Sequence, residues 1–220
     1  MSTVIERLMQ GYGVFHEKFF KSHNKRDRAL YRDLVENGQA PKTMIVACSD
    51  SRVDPATIFN YSPGEVFVVR NVANLVPPYE NDGMHHGTSA ALEFAVCFLR
   101  VEHVIVLGHS HCGGIQALLN EGMAVSAPDQ GFMSKWMDIA WDAREKALQL
   151  HTSQPMQEKH CCEYSLIASL NNLKTFPWIV ERVNQGLLTL HAWHFDLATG
   201  QVIRFNPQCQ QFEDLRLHDG

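Results

Sequence analysis

The sequence lacks several features that are typical of membrane, secreted and nucleic-acid-binding proteins. No apolar run approaches the ~20 residues of a membrane helix, and charge interrupts the N-terminus MSTVIERLMQGYGVFHEKFF every few residues, unlike a signal peptide. The formal charge is only −5, and no block of lysine and arginine is suited to a phosphate backbone. We therefore expect a cytoplasmic protein with neither a membrane nor a nucleic acid as partner.

Cysteine is also scarce, with six residues in a chain of 220, too few for a disulfide scaffold in a domain of this size. Metal binding or burial must therefore explain these cysteines. The adjacent Cys161 and Cys162 do not form the Cys-x-x-Cys pattern of thiol redox proteins, so we interpret them as incidental residues before a helix. Apolar residues are abundant, at 45% of the chain, which allows a substantial core.

Short apolar runs predict an α/β fold with a mostly parallel central sheet flanked by helices. Residues 44–47, 66–69 and 104–107 are too short for helices and rich in β-branched residues, as buried parallel strands are. The small and apolar residues of 87–96 suit a crossover helix between the second and third strands. The other predicted elements are helices from Gly113, over 131–150, 164–172 and 178–184, and strands over 187–195 and 202–205.

The two ends of the chain differ from this middle part. Over residues 2–37, apolar side chains such as Val4, Leu8 and Phe15 recur at helical spacing, which predicts an N-terminal helical arm. This apolar stripe can pack on the protein's own core or on a partner subunit, and the sequence favours neither. The polar tail, residues 208–220, is expected to be loose. We predict a single domain over 1–220, with 1–37 as its arm.

Polar residues follow two of the predicted strands. CSDSR ends the first strand and GHSHCGG ends the third, and ligands in open α/β sheets gather at the carboxyl ends of the strands. Zinc prefers thiolate and imidazole ligands, and a catalytic site supplies three of them and leaves one position open. Cys48, His109 and Cys112 make such a set and predict a zinc site.

Other residues of the same two loops have predicted roles around this site. A carboxylate next to a guanidinium is kept ionised and oriented, as Asp50 is by Arg52. Asp50 can then enter the fourth zinc position in a closed state, or stay on Arg52 and accept a hydrogen bond from zinc-bound hydroxide; the sequence leaves both open. His111 alternates away from His109 and is not the expected ligand. Gly113 and Gly114 let the backbone pass close to the metal.

Cys-x-Asp-x-Arg followed by His-x-x-Cys resembles the signature of the β-carbonic anhydrases, and the similarity extends from Gln39 to Gly114. The resemblance implies reversible hydration of carbon dioxide to bicarbonate and a proton by attack of zinc-bound hydroxide. It further implies that Asp50 and Arg52 are catalytic and that the protein is a homodimer or a larger homo-oligomer.

The plant-like branch of this family adds expectations for the substrate pocket. Gln39 and Phe67 fall at its substrate-facing positions, and Gly113 is assigned to the same pocket. Phe94 stands where that branch usually has a tyrosine, so the pocket is expected to lack one hydroxyl.

Another branch of the family is inhibited by a regulatory bicarbonate that a tryptophan, an arginine and a tyrosine hold, next to a glycine. Arg70 is available here, but Ile45, Ala47 and Phe195 occupy the other three positions. We therefore predict that bicarbonate does not trigger inhibition and that the zinc is open, with Asp50 on its arginine.

Three other functions remain open. A lyase that acts on carbon disulfide or carbonyl sulfide has similar metal ligands, and motifs do not exclude it. A non-catalytic zinc-binding regulatory protein would close its site with a fourth ligand, so Asp50 and Arg52 argue against it. A thiol redox protein has only the adjacent pair Cys161 and Cys162 in its favour.

Overall fold

Two helices make up the first of the two units into which the chain divides, Met1–Ala40. The computed structural model describes residues 3–120 and 131–215 of the chain. Helix α1 (Val4–His16) begins at a capping box and continues into a π-turn, Glu17–Lys21. Helix α2 (Lys25–Asn37) starts afresh with Asn24 as its N-cap. The predicted helical arm is confirmed, but it is broken between Lys21 and Lys25, which the spacing of its apolar residues did not indicate.

A sheet organises the second unit, Pro41–Gly220. Its strands are β1 (Thr43–Cys48), β2 (Val66–Asn71), β3 (His103–His109), β4 (Thr189–Phe195), β5 (Val202–Asn206) and β6 (Gln211–Asp214). Their order across the sheet is β2-β1-β3-β4-β5-β6. The first four in this order pair in parallel, and β5 and β6 add on antiparallel. The predicted fold class, a mostly parallel sheet flanked by helices, is confirmed.

Burial of the central strands on both faces explains their continuous apolar sequences. On one face, residues such as Met44 and Val104 pack against the helices of this unit, and on the other, Ile45 and Ile105 pack into a smaller apolar cluster. The helices are α3 (Pro55–Phe59), α4 (Gly87–Glu93), α5 (Gly113–Leu119), α6 (Phe132–Met137), α7 (Trp141–Gln149), α8 (Gln154–Leu173) and α9 (Pro177–Asn184). Within the described residues, none of the helices is long and apolar enough to cross a membrane.

Three local predictions are corrected. Cys161 and Cys162 do not precede a helix but lie buried inside α8, which begins at a proline-containing first turn seven residues before the first of them. The predicted helix over 131–150 is broken into α6, a 3₁₀ turn and α7. The tail is not loose from residue 208, because β6 pairs with β5 and the rings of Phe205 and Phe212 pack in a tilted arrangement with their centroids 5.4 Å apart. Residues 216–220 of the predicted tail lie outside the described residues.

Candidate metal centre

Three metal-ligating side chains converge at the carboxyl ends of β1 and β3. Cys48 is the last residue of β1, His109 is the last residue of β3, and Cys112 is the N-cap of α5. Their ligand atoms all lie within 4.8 Å of one another. The three residues are 4%, 1% and 1% exposed. The parallel arrangement of neighbouring strands therefore brings the predicted set together inside the protein.

The geometry of this cluster suits a tetrahedral metal ion. The sulfurs of Cys48 and Cys112 lie 4.0 Å apart, and two thiolates bound to one zinc ion in tetrahedral geometry would be separated by about 3.8 Å. The Nδ1 atom of His109 lies 2.9 Å from the carbonyl oxygen of Ser110. Its Nε2 atom is buried and has no hydrogen-bond partner among the described residues. An unpaired buried nitrogen is unfavourable, and a metal ligand bond would satisfy it.

The electrostatics of the two thiols favour one negative charge between them. A hydrogen bond from the Cys112 thiol lowers the pKa of Cys48 and outweighs its burial, which acts the other way. The same contact, together with burial, raises the pKa of Cys112, because a second thiolate would lie beside the first. A divalent cation would stabilise both thiolates, since metal binding to cysteine releases the thiol protons.

Arg52 holds Asp50 in a two-pronged ion pair next to this cluster. Arg52 donates from Nε to Oδ1 over 2.9 Å and from Nη2 to Oδ2 over 2.6 Å, and its backbone N–H also donates to Oδ1. These hydrogen bonds hold the pKa of Asp50 well below its usual range. Arg52 Nη2 also donates to the carbonyl oxygen of His111 over 3.0 Å. One guanidinium therefore keeps the carboxylate ionised and joins the two loops of the site.

His111 is not part of the cluster. Its backbone is left-handed, with φ of 55°, and its side chain is 59% exposed and lies 3.6 Å from Glu158. Its contribution to the site is the carbonyl oxygen that accepts from Arg52. Asp50 is on Arg52 rather than in the metal-ligating group, so its coordination of zinc in a closed state stays a prediction.

The comparison with known families identifies the chain. The family model "Carbonic anhydrase" matches residues 43–202, a range that contains both halves of the metal centre. The chain belongs to the carbonic anhydrase family. It is 43% identical over 170 residues to beta carbonic anhydrase 5, chloroplastic, of Arabidopsis thaliana. That match covers 76% of this chain and 55% of the relative, so the chain spans about half the length of this curated relative.

Solved structures place this chain in the beta class of the family. The structure of the β-carbonic anhydrase CcaA is 31% identical with a TM-score of 0.87, over 97% of this chain and 93% of that one. A tetrameric β-carbonic anhydrase from Sordaria macrospora is 26% identical with a TM-score of 0.77, over 93% of this chain and 98% of that one. The resemblance to the plant-like branch of the beta class is confirmed.

The expected cytoplasmic location is contradicted by the same comparison, because the Arabidopsis relative is named as a chloroplastic protein. Organelle transit peptides are amphipathic and have no long apolar segment, so the lack of such a segment does not indicate a cytoplasmic location.

The residues predicted for the substrate pocket are only partly brought together. The rings of Phe67 and Phe94 lie 5.7 Å apart, and Phe94 is 43% exposed. A β-carbon at Gly113 would meet no atom within 4 Å, so this residue faces open space beside Cys112. Gln39 belongs to the other unit. The substrate contacts of these four residues stay predictions.

The positions that hold regulatory bicarbonate in another branch are apolar here. Ile45 and Ala47 are 2% and 0% exposed, and they pack in one cluster with Phe195. Three donors of Arg70 are already engaged by acceptors of its own chain. It donates to the backbone oxygens of the turn after β1, a role that no sequence motif indicated.

Proposed function

We propose that this chain catalyses the reversible hydration of carbon dioxide to bicarbonate and a proton, with a zinc ion held by Cys48, His109 and Cys112. The observation that carries the proposal is the buried Nε2 atom of His109, which has no hydrogen-bond partner among the described residues. The ligand atoms of His109 and of the two cysteines all lie within 4.8 Å of one another, close enough to bind one metal ion. Three protein ligands are typical of a catalytic zinc site, because the fourth position stays available to water or substrate. Membership of the family supports the reaction.

Zinc, when bound, would supply Lewis acidity and lower the pKa of a water ligand from about 15.7 toward neutrality. Each protein residue has a separate part. The two cysteines supply negative charge, and the hydrogen bond from Nδ1 of His109 to a backbone carbonyl would fix the ring with Nε2 toward the metal. Asp50 is kept ionised by Arg52, so it can accept a hydrogen bond from the reacting water and orient it.

The carbon dioxide pocket is proposed to lie on the open side of this centre. Gly113 leaves room next to Cys112, since nothing lies within 4 Å of the place where its side chain would be. Phe67 and Phe94 lie together near the amino-terminal end of β2, where Phe67 pairs with Met44 rather than with Cys48; their part in the substrate pocket is proposed from the family resemblance alone.

A homo-oligomer is part of the proposal. The Sordaria macrospora relatives are described as tetrameric, and the resemblance assigns the N-terminal arm to subunit contacts. Within the arm, Phe15 and Phe19 pack around Tyr31, so the two helices form a defined unit that can dock as one piece.

A stopped-flow assay of carbon dioxide hydration tests this function. Protein stripped with a chelator should lose activity, and equimolar zinc should restore it. Carbon disulfide and carbonyl sulfide are assayed in parallel, with sulfide release as the readout. No hydration by the zinc-loaded protein, or a much faster release of sulfide than of protons, would contradict the proposal.

A further inference from the structure

Arg70 makes three directed contacts around the turn that carries the first metal ligand. Its Nε donates to the carbonyl oxygen of Cys48 over 2.8 Å, and its Nη2 donates to the carbonyl oxygen of Asp50 over 2.7 Å. Its Nη1 donates to the carboxylate of Asp54 over 2.9 Å. The side chain is only 28% exposed. One rigid guanidinium thus spans the whole turn between β1 and α3.

The sheet topology explains why Arg70 lies there. β2 is the parallel neighbour of β1, and Arg70 pairs with Ala47, one residue before the strand ends. Beyond that point the chain turns away, and the next link to β2 is the hydrogen bond from the backbone N–H of Ser49 to the carbonyl oxygen of Asn71, at 2.8 Å. Arg70 supplies donors for the carbonyl oxygens on either side of this link, which otherwise face the end of the sheet.

Asp54 fixes the far end of this arrangement. Its Oδ1 atom accepts from the backbone N–H groups of Ala56 and Thr57 and caps α3, while its Oδ2 atom accepts from Arg70. The guanidinium is therefore held between a strand and a helix start. Its position does not depend on solvent-exposed side chains alone.

We propose that Arg70 is a positioning residue of the metal centre. It acts through the backbone, since it fixes the two peptide groups that set the direction of the Cys48 thiol and the Asp50 carboxylate. The backbone N–H of Asp50 lies 3.5 Å from the sulfur of Cys48, so the same stretch of chain also places a donor at the thiolate. This inference rests on the proposed function, because it assumes that the cluster binds zinc.

Lysine cannot replace Arg70 in this role. An ammonium group is a single point charge, whereas the guanidinium presents its donors in a fixed planar fork. Arg70→Lys therefore keeps the charge and removes the simultaneous hold on three acceptors. Arg204→Lys is the matched control, because Arg204 pairs with Glu213 across β5 and β6, on strands that carry none of the three proposed ligands.

The test uses the full-length protein and three readouts. Zinc affinity is measured by competition with a chromogenic chelator, ligand geometry by the visible absorption of the cobalt-substituted protein, and turnover by stopped-flow hydration. Loss of a group that orients a metal ligand typically weakens metal affinity or activity about 10–100-fold. We expect Arg70→Lys to weaken zinc binding in that range, to shift the cobalt bands and to lower kcat more than it raises KM, and Arg204→Lys to change none of these.

A second variant and the wild-type protein separate the remaining outcomes. If Arg70→Lys does not fold, Asp54→Asn decides, because asparagine can still cap α3 but offers no anion to Arg70; its cobalt bands should shift from those of the wild type and its zinc affinity should fall. Wild-type zinc affinity and an unchanged cobalt spectrum in the folded variants would overturn the inference. A wild-type protein that binds no zinc and hydrates no carbon dioxide would instead refute the proposed function.

Discussion

Gly113 and Gly114 are neighbours at the start of α5, but the structure predicts opposite effects of alanine at the two positions. A β-carbon at Gly114 would lie 3.0 Å from Cγ1 of Val72 and 3.1 Å from the β-carbon of Ala73. The latter atom is fixed to a turn with φ of 60° and cannot rotate away. A β-carbon at Gly113 would meet nothing within 4 Å.

The size of the stability difference follows from a comparison of the two variants. Alanine gains about 1 kcal/mol over glycine inside a helix, and this gain is common to both. Overpacking of a tight site costs about 1–3 kcal/mol, and only Gly114→Ala carries this cost. The free energy of unfolding of Gly114→Ala should therefore be lower than that of Gly113→Ala by about 1–3 kcal/mol.

Urea unfolding of both variants, followed by hydration kinetics, makes the comparison. Gly113→Ala is expected to raise the free energy of unfolding by up to about 1 kcal/mol over the wild type and to lose hydration activity, because its methyl group enters the proposed substrate space. Equal stability of the two variants would refute the packing argument. A fully active Gly113→Ala would remove Gly113 from the substrate pocket.

Three other predictions concern the site and the sheet. Asp50→Asn and Arg52→Ala should keep zinc but lose roughly 100-fold in hydration rate, as stopped-flow assays and metal analysis would show; near-normal rates would reduce the pair to an ordinary ion pair. Inhibition by bicarbonate should not be sigmoidal, because Ile45 and Phe195 offer no donors to a buried anion; sigmoidal inhibition would refute this. Burial lowers the pKa of His191 to about 4. The neutral ring therefore makes its full contribution to the free energy of unfolding above about pH 6.5, and this contribution is lost as the pH falls toward about 4. His191→Gln should reduce that loss in urea unfolding by about 1 kcal/mol, allowing for partial exposure, and an unchanged pH dependence would exclude this role.

The parts of the fold that could be predicted are those with two-sided burial. Strands β1 and β3 are buried on both faces, so their sequences are continuous apolar runs with clear ends. Strand β6 has no such signal, because Phe212 is its one apolar residue and its contact with Phe205 is made only after the chain has folded back. Helix α3 carried a readable signal, since Asp54 and Pro55 are a favourable N-cap and first residue, but its five residues are too few for an apolar periodicity.

The candidate site also has one part that could be predicted from the sequence and one part that could not. The ligand set could be predicted because Cys48 and His109 end strands whose positions the apolar runs had already fixed, and Cys112 follows three residues later as the N-cap of α5. The two contacts of Arg70 that reach the metal-binding turn could not, because they run to backbone oxygens, which leave no trace in residue types. They depend instead on β2 lying beside β1, a fact of topology.

The zinc content of the purified protein and of three ligand variants tests the central claim most directly. The wild-type protein should contain about one zinc ion per chain, and Cys48→Ser, His109→Ala and Cys112→Ser should each lose most of it, because each leaves only two protein ligands. Arg204→Lys serves as the folded control and should retain its zinc. Full zinc retention in all three ligand variants would contradict the assignment of this metal centre.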